Sequence, residues 1–167
     1  MATRKVRPER AYEPTDLDAT DLRIVTELQR DARTSRAELG RRVGLSAPAV
    51  GDRMRRLEET GVITGYHAAV DPRALGFPVT IVVRVRPAVR ELERIAKIAQ
   101  EIPEIVECHR VTGEDCFIFT MHLRSVDRLE PILDQFTPYG QTTSALVQSA
   151  PVPARPLPLL TGDEPGS

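Results

Sequence analysis

Apolar residues recur at helical spacing through the first third of the chain and at strand spacing through much of the rest. In TDLDATDLRIVTELQRDART, Leu17, Asp21, Ile24, Val25 and Leu28 fall on one helical face, which is mostly apolar. Thr15 stands three residues before Asp18 in a capping arrangement. A second, short helix fits SRAELGRRVG, with Thr34 or Ser35 as N-cap, Leu39 and Val43 turned inward and Gly44 just past its end. A third starts at the N-cap Ser46 and runs to about Thr60. Pro48 falls in its first turn, where a missing N–H costs little, and Gly61 ends it. On that helix Val50, Met54 and Leu57 share the core face, whereas Pro48, Asp52 and Arg55 point away. Ala49, Gly51 and Arg56 flank them, and Arg53 sits at the boundary.

The second half alternates. TIVVRVRP (Thr80 to Pro87) is strand-like, and ELERIAKIAQEI has helical spacing at Leu92, Ile95, Ile98 and Ala99. EIVECHRVTG and CFIFTMHL are two strand-like runs joined by a turn containing Gly113. SVDRLEPILDQF is helical, with Pro131 as a point of interruption, and TTSALVQSA closes as a strand. The order is β-α-β-β-α-β, the ferredoxin-like pattern. The fold class expected is α+β: a winged helix-turn-helix of three helices, then a ferredoxin-like βαββαβ module. The expected divisions are a disordered arm over 1–14, the helix-turn-helix over 15–62, a linker strand and turn over 63–77, the βαββαβ module over 78–150 and a proline-rich flexible tail over 151–167.

Charge changes this picture locally. The chain of 167 residues carries a formal net charge of −1, which gives no global field for nucleic acid. Between Arg33 and Arg56, however, seven arginines meet only Glu38 and Asp52, a local net charge of +5. A basic stripe on a three-helix unit with Gly44-Leu45-Ser46 between its second and third helices fits a reader of double-stranded DNA. A solvated helix face is the ordinary alternative for such a run. Small residues at Ser46, Ala47, Ala49 and Gly51 let the helix backbone enter a major groove. Arg53, Arg55 and Arg56 then reach guanine edges or phosphates. Ser35, Ser46 and the helix N-termini offer neutral donors to phosphate. Asp52 would repel phosphate, so it either accepts from cytosine N4 or orients a neighbouring arginine. The DNA-facing set is therefore Ser35, Arg36, Ser46, Ala47, Pro48, Ala49, Asp52, Arg53, Arg55 and Arg56.

At this point a family resemblance is visible. Leu17 to Gly76 resembles the N-terminal half of the Lrp/AsnC, or feast/famine, regulators. The elements LD..D..I...L..DAR, LS..AV..R...LE..GVI.GY and DP..LG occur in order and at family spacing. ECHRVTGEDCFIF resembles the effector-binding module of the same family. The resemblance implies a sequence-specific transcriptional regulator that binds DNA as homodimers, often assembled into tetramers or octamers. It also implies a linking strand near Tyr66 to Val70 and a small-molecule effector, usually an amino acid, held between subunits. The effector residues it implies are Thr112, Gly113, Glu114 and Asp115 at the hairpin turn, with Thr142, Thr143 and Ser144 near the last strand. The family pattern commonly reads Gly-x-x-Asp before an aromatic, whereas Cys116 holds that Asp place here and Asp115 lies one residue early. Contact with an effector amino group then passes to Glu114 or Asp115, or is lost.

The remaining features point elsewhere only weakly. No apolar run is long enough to span a bilayer, and MATRKVRPERAYEPTD lacks the apolar core of a secretory signal, so a reduced, cytoplasmic protein is expected. Cys108 and Cys116 bracket the turn, where they serve as small apolar fillers or, in a tight hairpin, as a redox pair. With His109 and His122 they match no zinc spacing, and neither a metal, a cofactor nor a catalytic set is expected. The tail PVPARPLPL can adopt polyproline II. An enzymatic alternative stays open: siroheme-type, haem-precursor decarboxylases share the two-domain architecture, but have no need of an arginine-rich third helix.

Overall fold

The computed structural model describes residues 16–159. The arm over 1–14, the Thr15 cap and the end of the proline-rich tail lie outside the described residues. The chain divides into two compact units between Ala68 and Ala69.

The first unit holds α1 (Ala19–Arg30), α2 (Arg36–Val43) and α3 (Ala47–Glu59). Each helix starts at a side chain that satisfies an otherwise orphaned N–H. Asp18 caps α1 in a reciprocal box with Asp21. Ser35 caps α2, and Ser46 caps α3, whose first turn accommodates Pro48. Ile24, Leu28, Leu39, Val43, Val50 and Leu57 form the core, with Met54 partly buried against it. The turn between α2 and α3 is tight. Gly44 adopts a left-handed conformation at φ 77°, and the Leu45 N–H donates to the Gly40 carbonyl at 2.9 Å. A Cβ on Gly40 would stand under 3.0 Å from the Leu45 carbonyl oxygen, so glycine is what lets the two helices approach.

Beyond α3 the chain runs without regular structure from 64 to 71, and no ladder forms at Tyr66 to Val70. A strand needs a partner for its N–H and C=O groups, and none of the described residues pairs with that segment. Tyr66 is instead tied back by its hydroxyl, which donates to Glu58 Oε1 at 2.8 Å. Burial, and then the Glu58 carboxylate, push its phenol up to about 12.

The second unit runs β1 (Val79–Pro87), α4 (Leu92–Glu101), β2 (Ile105–Arg110), β3 (Phe117–Leu123), α5 (Leu129–Leu133) and β4 (Gly140–Leu146). Its antiparallel sheet has the order β2-β3-β1-β4, the ferredoxin-like arrangement. Alternation sets the faces. Ile81, Val83 and Val85 of β1 and Phe117, Phe119, Met121 and Leu123 of β3 pack on Ile95, Ile98, Ala99, Ile132 and Phe136. The Phe119 and Phe136 rings lie 5.3 Å apart. The helical run around Pro131 is broken up: α5 is only five residues long, between 3₁₀ turns at Val126–Arg128 and Thr137–Tyr139. Among the described residues no helix is long and apolar enough to cross a membrane.

Candidate nucleic-acid interface and effector hairpin

Helix α3 presents a mixed face. Ser46, Pro48, Asp52, Arg55 and Arg56 are exposed, and Ala47, Ala49 and Arg53 are half-buried. Gly51 departs from the expected pattern: it is buried, with the Arg36 side chain laid over it. The small-residue stripe therefore consists of Ser46, Ala47 and Ala49, and Arg36 covers the next position. The Ser35 and Ser46 hydroxyl oxygens accept from the Glu38 and Ala49 N–H groups. Each hydroxyl proton is left to donate outward.

The arginines of α3 divide by their partners. Asp21 is fully buried and is the one buried charged residue among those described. Arg53 Nη1 donates to Asp21 Oδ1 at 2.8 Å and to Asp18 Oδ2 at 2.6 Å. Arg56 Nη2 bonds the other Asp21 oxygen. Two arginines one helical turn apart on α3 thus clasp the start of α1. The Arg53 guanidinium, and then the Asp21 N–H, hold the Asp18 carboxyl below the usual range, while the two aspartates raise Arg53. Arg55 pairs only with Asp52 on its own helix, at 2.9 Å, and both side chains are largely exposed. Asp52 therefore pairs with a neighbouring arginine in this structure.

The remaining basic residues are also partly neutralised. Arg42 bridges Glu38 and Glu27, and Arg41 pairs with Glu38. Arg42 is the chief cause of the lowered acidity range of both glutamates. Once the α1 acids Asp18, Asp21 and Glu27 are counted, the seven arginines of the stripe face five carboxylates. Of the seven, only Arg33 and Arg36 have no carboxylate partner among the described residues. A count confined to the window 33–56 misses those three acids, because folding brings them in from another helix.

The β2–β3 hairpin closes with the Val111 N–H donating to the Cys116 carbonyl at 2.8 Å. Thr112, Gly113 and Glu114 are exposed at its tip, and Gly113 has φ 109° with open space where a Cβ would stand. The two acids are held by residues that sequence reading did not single out. Glu114 pairs with Arg86, and Asp115 with Arg84 at 3.3 Å and with Arg86 at 3.8 Å. The alternation in VVRVRP carried that signal: Arg84 and Arg86 share the face of β1 opposite its buried valines. In the β1–β4 register Thr143 stands opposite Arg84 and joins this group. Thr142 and Ser144 stand opposite Val85 and Val83, on the face that carries the buried valines, where Ser144 is nevertheless exposed. The expected effector set is therefore split between the two faces of the sheet.

Cys108 stands opposite Phe119 on β3, three residues beyond Cys116, so the cysteines are not a cross-strand pair, and both are free thiols. Burial pushes the Cys108 thiol up, away from the reactive thiolate. No group of three metal-ligating side chains gathers among the described residues.

Comparison with known proteins matches both units. A winged helix-turn-helix DNA-binding family covers residues 17–64, and the Lrp/AsnC ligand binding domain covers 79–157. The HTH-type transcriptional regulator LrpC of Bacillus subtilis is 36% identical over 133 residues, 80% of this chain and 92% of that protein. The leucine-responsive regulatory protein of Escherichia coli is 34% identical over 138 residues, 81% of each. The solved structure of B. subtilis LrpC superposes with a TM-score of 0.77 at 35% identity, over 81% of this chain and 97% of that one. Between a regulator and a decarboxylase, these relatives decide for the regulator.

Proposed function

The chain belongs to the Lrp/AsnC family, a DNA-binding transcriptional regulator with a ligand-binding domain and not an enzyme, and from that premise we propose how its residues divide the work. Ser46, Ala47, Pro48 and Ala49 bring α3 into the major groove. Arg55, aligned by Asp52, reads base edges there, and Ser35, Arg36 and Ser46 hold phosphates. Arg53 and Arg56 set the angle of α3 through Asp21 and contribute little direct readout. The observation that carries this division is that Arg55 alone among the three α3 arginines has no tie to another helix.

The second unit takes an amino-acid effector at the hairpin of Thr112, Gly113, Glu114 and Asp115, with Arg84, Arg86 and Thr143. The effector carboxylate exchanges onto an arginine and its ammonium onto Glu114 or Asp115, so neither charge is left unpaired. The name of the leucine-responsive relative supports this ligand class. The chain acts as a homodimer that assembles further, and the effector shifts DNA affinity by binding one assembly better than another.

Binding of fluorescent duplex from the chain's own upstream region, titrated with salt, tests the division. Arg55→Ala is expected to lower affinity by about 5- to 150-fold, the span of one bidentate base contact, with unchanged thermal stability. An Arg55→Ala variant that binds as tightly as the parent would refute the assignment.

A further inference from the structure

The second unit carries a cavity that the hairpin site does not use. It has a volume of about 250 Å³ and is lined by Phe77, Glu104, Leu123, Arg124 and Arg128. It lies where β3 ends and β1 begins, whereas the hairpin lies where β3 starts. The length of β3 separates the two by roughly 20 Å.

Its charges are unevenly matched. Arg128 reaches Glu104 at 3.5 Å, and the backbone carbonyl of Glu104 is fixed by the His122 N–H at 3.0 Å. Arg124 has no carboxylate partner among the described residues. Its guanidinium carbon stands 4.8 Å from the centre of the Phe77 ring. A cation–π contact consumes none of the five N–H donors. The wall therefore offers one unspent cation beside a long ion pair and an aromatic ring, with the fully buried Leu123 behind them. At this volume the cavity falls below the roughly 300–1,000 Å³ of pockets for drug-sized molecules, so it suits a small metabolite.

We propose that this cavity is a second ligand site, taking a small monocarboxylate with a short apolar group. The carboxylate lies on Arg124, and the apolar group lies against Phe77. Selectivity follows from Glu104. An amino acid would bring an ammonium that needs a carboxylate, and the carboxylate present is already held by Arg128. A 2-oxo or branched-chain acid brings no such demand, so this end of the sheet discriminates against the zwitterions that the hairpin takes.

Calorimetric titration of the full chain with 4-methyl-2-oxopentanoate, and separately with L-leucine, tests this. Saturable binding of the oxo acid is expected. Arg124→Gln should weaken it at least tenfold, and the hairpin variant Arg84→Gln should leave it unchanged. Glu104→Gln, which frees Arg128, should tighten the oxo acid several-fold, a gain that misfolding cannot imitate. Any leucine binding should survive Arg124→Gln. No saturable oxo-acid binding, binding indifferent to Arg124→Gln, or leucine binding lost with Arg124 would each overturn the proposal. These outcomes are independent of whether the hairpin reading stands.

Discussion

Removing the Asp21 carboxylate should loosen the docking of α3 on α1. The side chain is fully buried, accepts from Arg53 and Arg56, and accepts through Oδ2 from the Asp18 N–H at 3.2 Å. A hydrogen bond to a charged group contributes about 1.5–3 kcal/mol, and breaking a fully buried ion pair costs about 3–5. The upper figure does not apply here. The Arg53 and Arg56 side chains are 30% and 49% exposed, so both stranded guanidiniums can turn to water. Asp21→Ala should therefore cost about 2–3 kcal/mol. Asp21→Asn, which keeps the shape and one acceptor, should cost about 1–2. Each kcal/mol lowers the midpoint of a domain of this size by about 4–8 °C. Thermal melting by circular dichroism reads the loss, and the double variant Asp21→Ala/Arg53→Ala reads its source. A coupling of at least about 1 kcal/mol is expected from the clasp. An Asp21→Ala loss below about 0.5 kcal/mol, or strictly additive single variants, would show that the clasp does not hold α3.

Three further outcomes follow from the same geometry. Gly40→Ala forces a methyl against the Leu45 carbonyl, a backbone atom that cannot swing aside, and should cost about 1–3 kcal/mol in urea unfolding together with DNA affinity; an unaffected midpoint would contradict the close approach. The carboxyls of Asp18, Glu27 and Glu38 sit below their ordinary values of 3.8, 4.5 and 4.5 in the folded chain, so their stabilisation is complete above about pH 5 and drains away as pH falls through 4.5 and then below 3.8. Melting midpoints between pH 7 and 3 should fall across that window, and a flat or rising profile would be inconsistent with it. Gly113→Val places a branched side chain at φ 109° and should blunt the response of DNA binding to amino acids more than it lowers basal affinity; equal loss of both would make the turn merely structural.

The elements were legible in the sequence wherever local chemistry decides them. Ser35 and Ser46 cap where their spacing implies, Gly44 ends α2, and period-two alternation marks β1 and β3. Partners distant in sequence were not legible. Asp21 reads as a polar exception on an apolar stripe until Arg53 and Arg56, more than thirty residues later, give it a role. Gly51 reads as an exposed small residue until Arg36 covers it. The grouping of Thr142, Thr143 and Ser144 dissolves for a different reason: neighbours on a strand face opposite sides, so only Thr143 shares a face with Arg84. Arg84 and Arg86 were visible as an alternation and lacked only Glu114 and Asp115 to show their use.

The way the arginines are spent bears on how such a chain binds DNA at all. Affinity from phosphate contacts scales with the charges brought to the duplex, and each adds about 0.9 to the salt slope. One helix-turn-helix here keeps three arginines clear of carboxylates among the described residues, Arg23, Arg33 and Arg36, and Arg23 is turned onto the Arg42 carbonyl. A single copy therefore has too little unspent charge for tight, salt-sensitive binding, although its sequence carries a conspicuous basic run. Copies joined through their second units escape that limit, because a tethered second contact costs far less than a free one and avidity can exceed either affinity by about 10²–10⁴. Low charge per reading head then becomes useful. In the homodimer proposed above, it keeps nonspecific binding weak and makes occupancy depend on how many copies are joined.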